Sequence, residues 1–183
     1  MSDSELKALV ASLATEHAKT EAAQRRTEET LRRVTWQLGG LGNKFGSFTE
    51  GLAFESLEKI LRRRFHADNL ARRVKPARGS FGQEYDLIGV RNGEHNEVYC
   101  VEIKSELDEE GLRKSLKKFA QFFDLLPMYR GMRLFGIIAA VDVRGALADR
   151  VMHEGLYLAT AGDQNFELVR PPPGFKPRSF AAK

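Results

Sequence analysis

The 183-residue chain is long enough for one ordinary α/β domain with an appendage, and its 42% hydrophobic and 30% charged residues exclude a disordered protein. Its one cysteine, Cys100, excludes an intramolecular disulfide, and the lack of a signal-peptide pattern or of an apolar run of ~20 residues predicts a cytoplasmic protein without a membrane span. The net charge of +4 is unevenly spread, because residues 56–78 carry eight Lys or Arg against two acids, whereas residues 84–110 carry nine acids against two bases. This distribution suits a polyanion substrate held near a cation site, although solvated helix faces would also produce it.

Residues 3–38 contain no Gly or Pro and are predicted to form one long helix. A heptad pattern typical of a coiled coil runs through it, with a polar centre to the seam. The two seam positions are Leu6, Leu13, Thr20, Thr27 and Val34, and Val10, His17, Gln24, Leu31 and Leu38. We expect a coiled coil over residues 1–40 that forms a homodimer or higher oligomer, with packing on the globular domain or pairing with another protein as alternatives. Gly39-Gly40 then predict a hinge.

A mixed α/β pattern follows in residues 41–170. Ser47, with Glu50 three residues later, has the spacing of a capping box at the start of a helix that continues to about Phe65. Two more helices are predicted, at 108–126 and 145–154, together with strands at 70–76, 84–91, 97–104, 133–141, 156–159 and 166–169. We therefore predict one mixed β-sheet flanked by helices, with residues 79–82 as a loop and residues 171–183 as a loose C-terminal tail.

The residues that point to chemistry lie in the hairpin of residues 84–104. Its turn signals, Asn92 to Asn96, centre on residue 94, so residues that face each other across the two strands have numbers that sum to about 188. In this register Asp86 lies beside Glu102. A tight two-residue turn at Asn92-Gly93 would instead place residue 99 opposite Asp86.

Side chains alternate along a strand, so Glu102 and Lys104 share a face, which Asp86 joins in the register centred on residue 94. Two carboxylates held together beside an apolar face are costly unless a cation relieves their repulsion. We therefore expect Asp86 and Glu102 to bind Mg²⁺, with Mn²⁺ as a substitute. The carboxylates favour the ammonium form of Lys104, so this lysine is expected to orient the attacking water and stabilise charge growing on phosphorus, not to act as a general base. The plainer interpretation is a Glu102–Lys104 salt bridge on an exposed edge.

The segments 41–51, 84–87 and 101–105, with the helix and strand order around them, resemble the PD-(D/E)XK nuclease superfamily and its restriction-endonuclease-like fold. The resemblance covers about residues 41–180 and extends to a group of bacterial and archaeal proteins that place a coiled coil ahead of such a domain. It implies that Asp86 and Glu102 bind metal. It also implies that Lys104 serves the attacking water and the scissile phosphate.

The first helix of that superfamily often adds an acid, and Glu50 is the candidate here, although it is equally interpretable as an N-terminal capping acid. Glu55, one helical turn further on, is a weaker candidate. The residue before the acid is Tyr85, where the name of the motif has proline. Lys117 and Gln121, four residues apart, have the spacing to face the site, but solvent exposure is the favoured interpretation for both.

The leading hypothesis is therefore Mg²⁺-dependent hydrolysis of nucleic acid, with DNA as the favoured substrate, by Asp86, Glu102, Lys104 and Glu50. The alternative is a non-catalytic nucleic-acid-binding or scaffolding module that oligomerises through its N-terminal helix. A toxin or effector of a defence system is a third hypothesis, which the sequence neither supports nor excludes. Cys100 is interpreted as a small buried strand residue.

Overall fold

The computed structural model describes residues 53–143, 145–162 and 165–181, together with Ser4, His17 and Thr20. The chain divides into two units, Met1–Phe45 and Gly46–Lys183. In the first unit the three described residues are helical and exposed. The predicted coiled coil, its oligomer and Glu50 otherwise lie outside the described residues. In the described part, no helix is long and apolar enough to cross a membrane.

The second unit contains a mixed sheet and helices. Residues 53–64 form the helix that we label α1. The other helices are α2 (Glu109–Ala120), α3 (Phe122–Leu125) and α4 (Leu147–His153), with a 3₁₀ turn at Pro127–Tyr129. The strands are β1 (Asn69–Val74), β2 (Ala77–Arg78), β3 (Phe81–Gly82), β4 (Tyr85–Arg91), β5 (Glu97–Leu107), β6 (Arg133–Val143), β7 (Tyr157–Ala161), β8 (Phe166–Leu168) and β9 (Ser179–Phe180).

Seven strands make one mixed sheet in the order β1-β4-β5-β6-β7-β8, with β9 paired to β6. The pairs β5–β6 and β6–β7 are parallel, and the other pairs are antiparallel. The two parallel connections run through α2 and α4, both of which pack into the same core cluster. The predicted mixed sheet flanked by helices is therefore confirmed.

Alternating side chains give the sheet two buried faces. On one face α1 packs through Phe54, Leu57 and Leu61 against odd-numbered residues of the central strands, including Val101. On the other face α2 packs through residues such as Phe119 against even-numbered residues, including Cys100 and Ile138. Burial on both faces accounts for the near-continuous apolar sequence of β6. Cys100 is fully buried, as predicted for a small strand residue.

Particular residues explain where α2 begins and ends and how closely it packs on the sheet. Asp108 caps the N-terminus by accepting a hydrogen bond from the Gly111 amide at 2.7 Å, and acidic residues in the first turn with basic residues in the last suit the helix dipole. Gly136 on β6 lets the helix approach closely, because a Cβ there would lie 2.6 Å from the ring of Phe119. This close contact fixes which face of α2 packs on the sheet.

The structure corrects two predictions. Residues 79–82 are not only a loop, because β2 and β3 form a short antiparallel hairpin. Residues 171–183 are not a loose tail through the described positions, because β9 pairs with β6 and Phe180 is buried at 5% exposure. Phe180 packs against Phe119 with ring centroids 5.7 Å apart. The prediction missed this strand because a two-residue pairing has no periodicity to detect.

Candidate active site

The hairpin register is the one centred on residue 94. Leu87 pairs with Val101, so facing residues sum to 188, and the same register extended by one step places Asp86 opposite Glu102. This confirms the predicted neighbours and excludes the tight turn at residues 92–93. Glu102 faces α2, because its carboxylate contacts Lys118. The simple alternation ends before Asp86, since Tyr85 packs in the same cluster as α2.

Asp86 is half-buried at the start of β4 and is held by the neighbouring strand. Its Oδ2 atom accepts a hydrogen bond from the backbone amide of Ile103 at 2.8 Å. This bond holds the carboxylate at the backbone of β5, at the residue that lies between Glu102 and Lys104 in sequence. Asp86 is therefore placed by the backbone, with its charge directed at the same strand segment that carries the other two site residues.

Glu102 is the buried centre of the cluster, at 2% exposure. One carboxylate oxygen accepts a hydrogen bond from Lys104 Nζ at 3.2 Å, and the other accepts one from Lys118 Nζ. Burial is the main cause that raises the pKa of Glu102 above its ordinary value, and the charge of Asp86 raises it further. The two ammonium groups act in the opposite direction but do not cancel the rise.

Lys118 is a site residue that the sequence analysis missed. Lys117 and Gln121 were considered on α2, but Lys117 is exposed and Lys118 turns inward, with its side chain 18% exposed. Its ammonium also lies 5.4 Å from the centre of the Tyr85 ring. The signal was available, because Lys118 is three residues after the buried Ser115 and one before the buried Phe119, near the inward face of the helix.

Tyr85, the residue before Asp86, is a buried support of the cluster. The residue is fully buried, its ring packs against Phe122 at 5.2 Å, and its hydroxyl donates to the Lys118 carbonyl at 3.5 Å. Burial raises the pKa of Tyr85, so its hydroxyl stays neutral. Tyr85 thus contacts both the backbone carbonyl and the ammonium of Lys118. It therefore helps to hold the lysine that contacts Glu102.

Lys104 connects the cluster to solvent. Its side chain is 32% exposed, whereas Glu102 beneath it is almost completely enclosed. A ligand that approaches from solvent would therefore meet Lys104 before Glu102. The expected Glu102–Lys104 ion pair is present, but it does not lie on an exposed edge, because β5 is a central strand.

Magnesium fits the donor set in chemical type, because Asp86 and Glu102 supply hard oxygen ligands and Mg²⁺ retains several waters of its own. Both oxygens of Glu102 already accept hydrogen bonds from ammonium groups. Each oxygen keeps a further lone pair, so a cation shared by the two carboxylates would lie beside an ammonium group whose positive charge opposes its binding. Within the described residues, no group of three or more His, Cys, Asp and Glu is placed to hold a metal, and Asp86 and Glu102 are the pair of acids that interact at this position.

The remaining predicted acids do not join this cluster in the described part of the chain. Glu50 lies outside the described residues. Glu55 is exposed on α1 and pairs with Lys59 at 2.7 Å. The apolar side of α1 packs on the face of the sheet opposite α2. Gln121 is partly buried and accepts a hydrogen bond from Gln83 Nε2 at 2.8 Å, which links α2 to the segment before β4.

No family model matches the chain, and no curated protein sequence matches it. Among solved structures, a protein of unknown function from Silicibacter pomeroyi is similar, with 17% sequence identity and a TM-score of 0.39. The alignment covers 71% of this chain and 75% of that chain.

Proposed function

We propose that this chain hydrolyses phosphodiester bonds of nucleic acid, with DNA as the favoured substrate, at Asp86, Glu102, Lys104 and Lys118. The observation that carries the proposal is the buried Glu102 carboxylate, which lies beside Asp86 and contacts two lysines on neighbouring elements. A buried acid next to a second acid is costly for stability. Such cost is common where charged groups are arranged for chemistry.

The lysines suit the charge that develops in phosphoryl transfer. Hydrolysis at phosphorus builds negative charge on the non-bridging oxygens, and fixed cationic donors lower the barrier by stabilising it. Lys104 is the more exposed of the two lysines and is the first to reach a phosphate. Both lysine side chains contact Glu102, so each is placed to contribute positive charge at the carboxylates.

Asp86 and Glu102 would hold the Mg²⁺ ion that this function requires, with Mn²⁺ as a substitute. When bound, such an ion lowers the pKa of a coordinated water and so supplies the nucleophile. Asp86 is held in position by the amide of Ile103, and Glu102 is enclosed by α2, so both carboxylates are oriented before any ligand arrives. Preorganisation of this kind limits the reorganisation that binding would otherwise cost.

We also propose the restriction-endonuclease-like fold and membership of the PD-(D/E)XK superfamily. The support is the order of elements around the site: α1, the antiparallel pair β4–β5, then α2 and the parallel strand β6. Glu50 as an additional acid, oligomerisation through residues 3–38 and a cytoplasmic location remain predictions from the sequence.

The test is hydrolysis of single-stranded and duplex DNA in Mg²⁺ or Mn²⁺ by the full chain, with Lys104→Ala and Asp86→Asn as the inactive variants. Lys117→Ala is the matched control, because it removes an exposed lysine from α2 without touching Glu102. The expected result is that the wild type and Lys117→Ala cleave at equal rates, while the two site variants lose activity by about 100-fold or more. Equal rates for wild type and Lys104→Ala would refute the proposal.

A second candidate function is a non-catalytic nucleic-acid-binding module. It is favoured by the charge balance of the cluster, since two carboxylates and two ammonium groups neutralise one another without a metal. In that case DNA would bind in a salt-dependent manner, Asp86→Ala would leave the affinity unchanged, and no cleavage would occur. The hydrolysis assay with a parallel binding titration separates the two candidates.

A further inference from the structure

The hairpin β2–β3, which we call the finger (residues 77–82), presents an exposed aromatic ring. Its two strands pair with Ala77 opposite Gly82 and Arg78 opposite Phe81, and Gly79 occupies the turn at φ +62°. Phe81 is 43% exposed, so the ring gains only part of the free energy that core burial would give it. Arg78, its cross-strand neighbour, is exposed as well.

A single exposed apolar residue is ordinary on a protein surface. Phe81 differs because of what holds the finger in place. At its root the Gln83 amide donates to the Pro76 carbonyl at 3.2 Å, and Lys75 pairs with Glu84 at 3.0 Å. The Gln83 side chain donates to Gln121 at 2.8 Å. The finger is thus anchored on both sides of its base.

The anchor leads directly to the candidate active site. Gln121 caps the C-terminus of α2, the helix whose Lys118 contacts Glu102. Tyr85, two residues beyond Gln83, packs under the ammonium of Lys118. The base of the finger and the lysine that contacts the buried carboxylate are therefore held by the same helix, α2, which places the finger beside the site.

The chemistry of the tip matches one kind of ligand. A guanidinium binds phosphate, and an exposed aromatic ring stacks on a nucleobase whose face is open. Within the finger itself, Arg78 supplies the positive charge, and its side chain is exposed. In a duplex the base faces are already stacked, so an open base face belongs to single-stranded or unpaired nucleic acid.

We propose that the finger binds single-stranded or locally unpaired nucleic acid beside the scissile phosphate, with Phe81 stacking on an exposed base and Arg78 contacting the backbone. This inference rests on the proposed function, because only a hydrolase of nucleic acid has a scissile phosphate beside which the finger would bind. It adds a substrate class to that function, since it selects unpaired strands over duplex. The class of polymer is recognised without reading its sequence, because every base has a face that can stack.

The experiment measures dissociation constants by fluorescence anisotropy with a labelled single-stranded DNA oligonucleotide and with the matching duplex, using the full chain carrying Asp86→Asn to prevent cleavage. Phe81→Ala should weaken single-strand binding by about 5- to 150-fold and leave duplex binding within about twofold. Phe81→Trp should restore binding, because it keeps a stacking surface. Met128→Ala is the matched control, since Met128 is an apolar side chain that is even more exposed, at 73%, on the turn before β6.

Two results would overturn the inference: a Phe81→Ala effect no larger than that of Met128→Ala, or an equal loss on single strands and duplex. Circular dichroism melting of each variant confirms that the fold is retained. The outcome is separable from that of the proposed function. Cleavage by the wild type with an unaffected Phe81→Ala variant refutes the finger alone, whereas selective loss of single-strand binding without cleavage in the wild type refutes the hydrolysis alone.

Discussion

Lys118 on α2 donates a hydrogen bond to the Glu102 carboxylate, which also accepts one from Lys104, two residues further along β5. The two lysines occupy different oxygens of the carboxylate. In the absence of a divalent cation they provide the positive charge that two adjacent acids need. The same contact means that a metal ion at Glu102 would be opposed by the positive charge of Lys118.

Replacement of Lys118 by methionine should therefore increase the affinity for Mn²⁺. The substitution removes a unit charge in contact with a ligand oxygen, and charges within ~4–6 Å shift ionic equilibria by about one to three powers of ten. We expect the Mn²⁺ dissociation constant to fall by about tenfold or more in isothermal titration calorimetry. Lys117→Met, one residue away but exposed, should not change it. Weaker Mn²⁺ binding by Lys118→Met would show that the lysine supports the site and does not compete.

Asp86→Ala and Asp86→Asn should separate the structural role of this acid from its chemical role. Alanine removes the acceptor of the Ile103 amide, so the free energy of unfolding should fall by about 1–3 kcal/mol. Asparagine keeps a carbonyl oxygen at that position, so its loss should stay within about 1 kcal/mol. Urea unfolding gives both values. Both variants should lack hydrolytic activity, and an active Asp86→Asn variant would count against a role for the carboxylate charge.

The register of the hairpin could be predicted from the sequence, because local strand geometry decides it. The register of the hairpin depends on the turn centre and on alternation, both of which are local, so the placement of Asp86 beside Glu102 could be obtained without a structure. The faces of the sheet followed from the same alternation. The helix α2 was bounded correctly at its start because Asp108 is a strong capping residue.

Tertiary relationships were the part that the sequence did not reveal. Lys118 was missed because its inward direction depends on the rotation of α2 about its own axis. That rotation is set by packing on β6, where Gly136 lies against the ring of Phe119. The return of β9 was missed because two residues carry too little pattern to identify a strand. The acid expected from the first helix, Glu50, lies outside the described residues.

Phe180→Ala tests whether the C-terminal segment is part of the fold. The ring is buried at 5% exposure against Phe119, and deletion of a buried Phe side chain costs about 3–5 kcal/mol. We expect the free energy of unfolding in urea to fall by about 3 kcal/mol or more. Ser179→Ala, the exposed neighbour on β9, should change it by less than about 0.5 kcal/mol. A neutral Phe180→Ala variant would restore the prediction of a loose tail.

Glu102→Gln should reveal the raised pKa of this buried acid as a pH-dependent difference in stability. Burial and the charge of Asp86 raise the pKa of Glu102 above its ordinary value of 4.5, so the folded state holds this proton more tightly than the unfolded state. The free energy of unfolding of the wild type, relative to Glu102→Gln, should therefore fall as the pH rises from 4.5 through the folded-state pKa, and remain level above it. Urea unfolding of both proteins in a chelator, at half-unit steps of pH, measures this difference. A difference that rises with pH over that window would mean that Lys104 and Lys118 stabilise the charged carboxylate by more than burial and Asp86 oppose it.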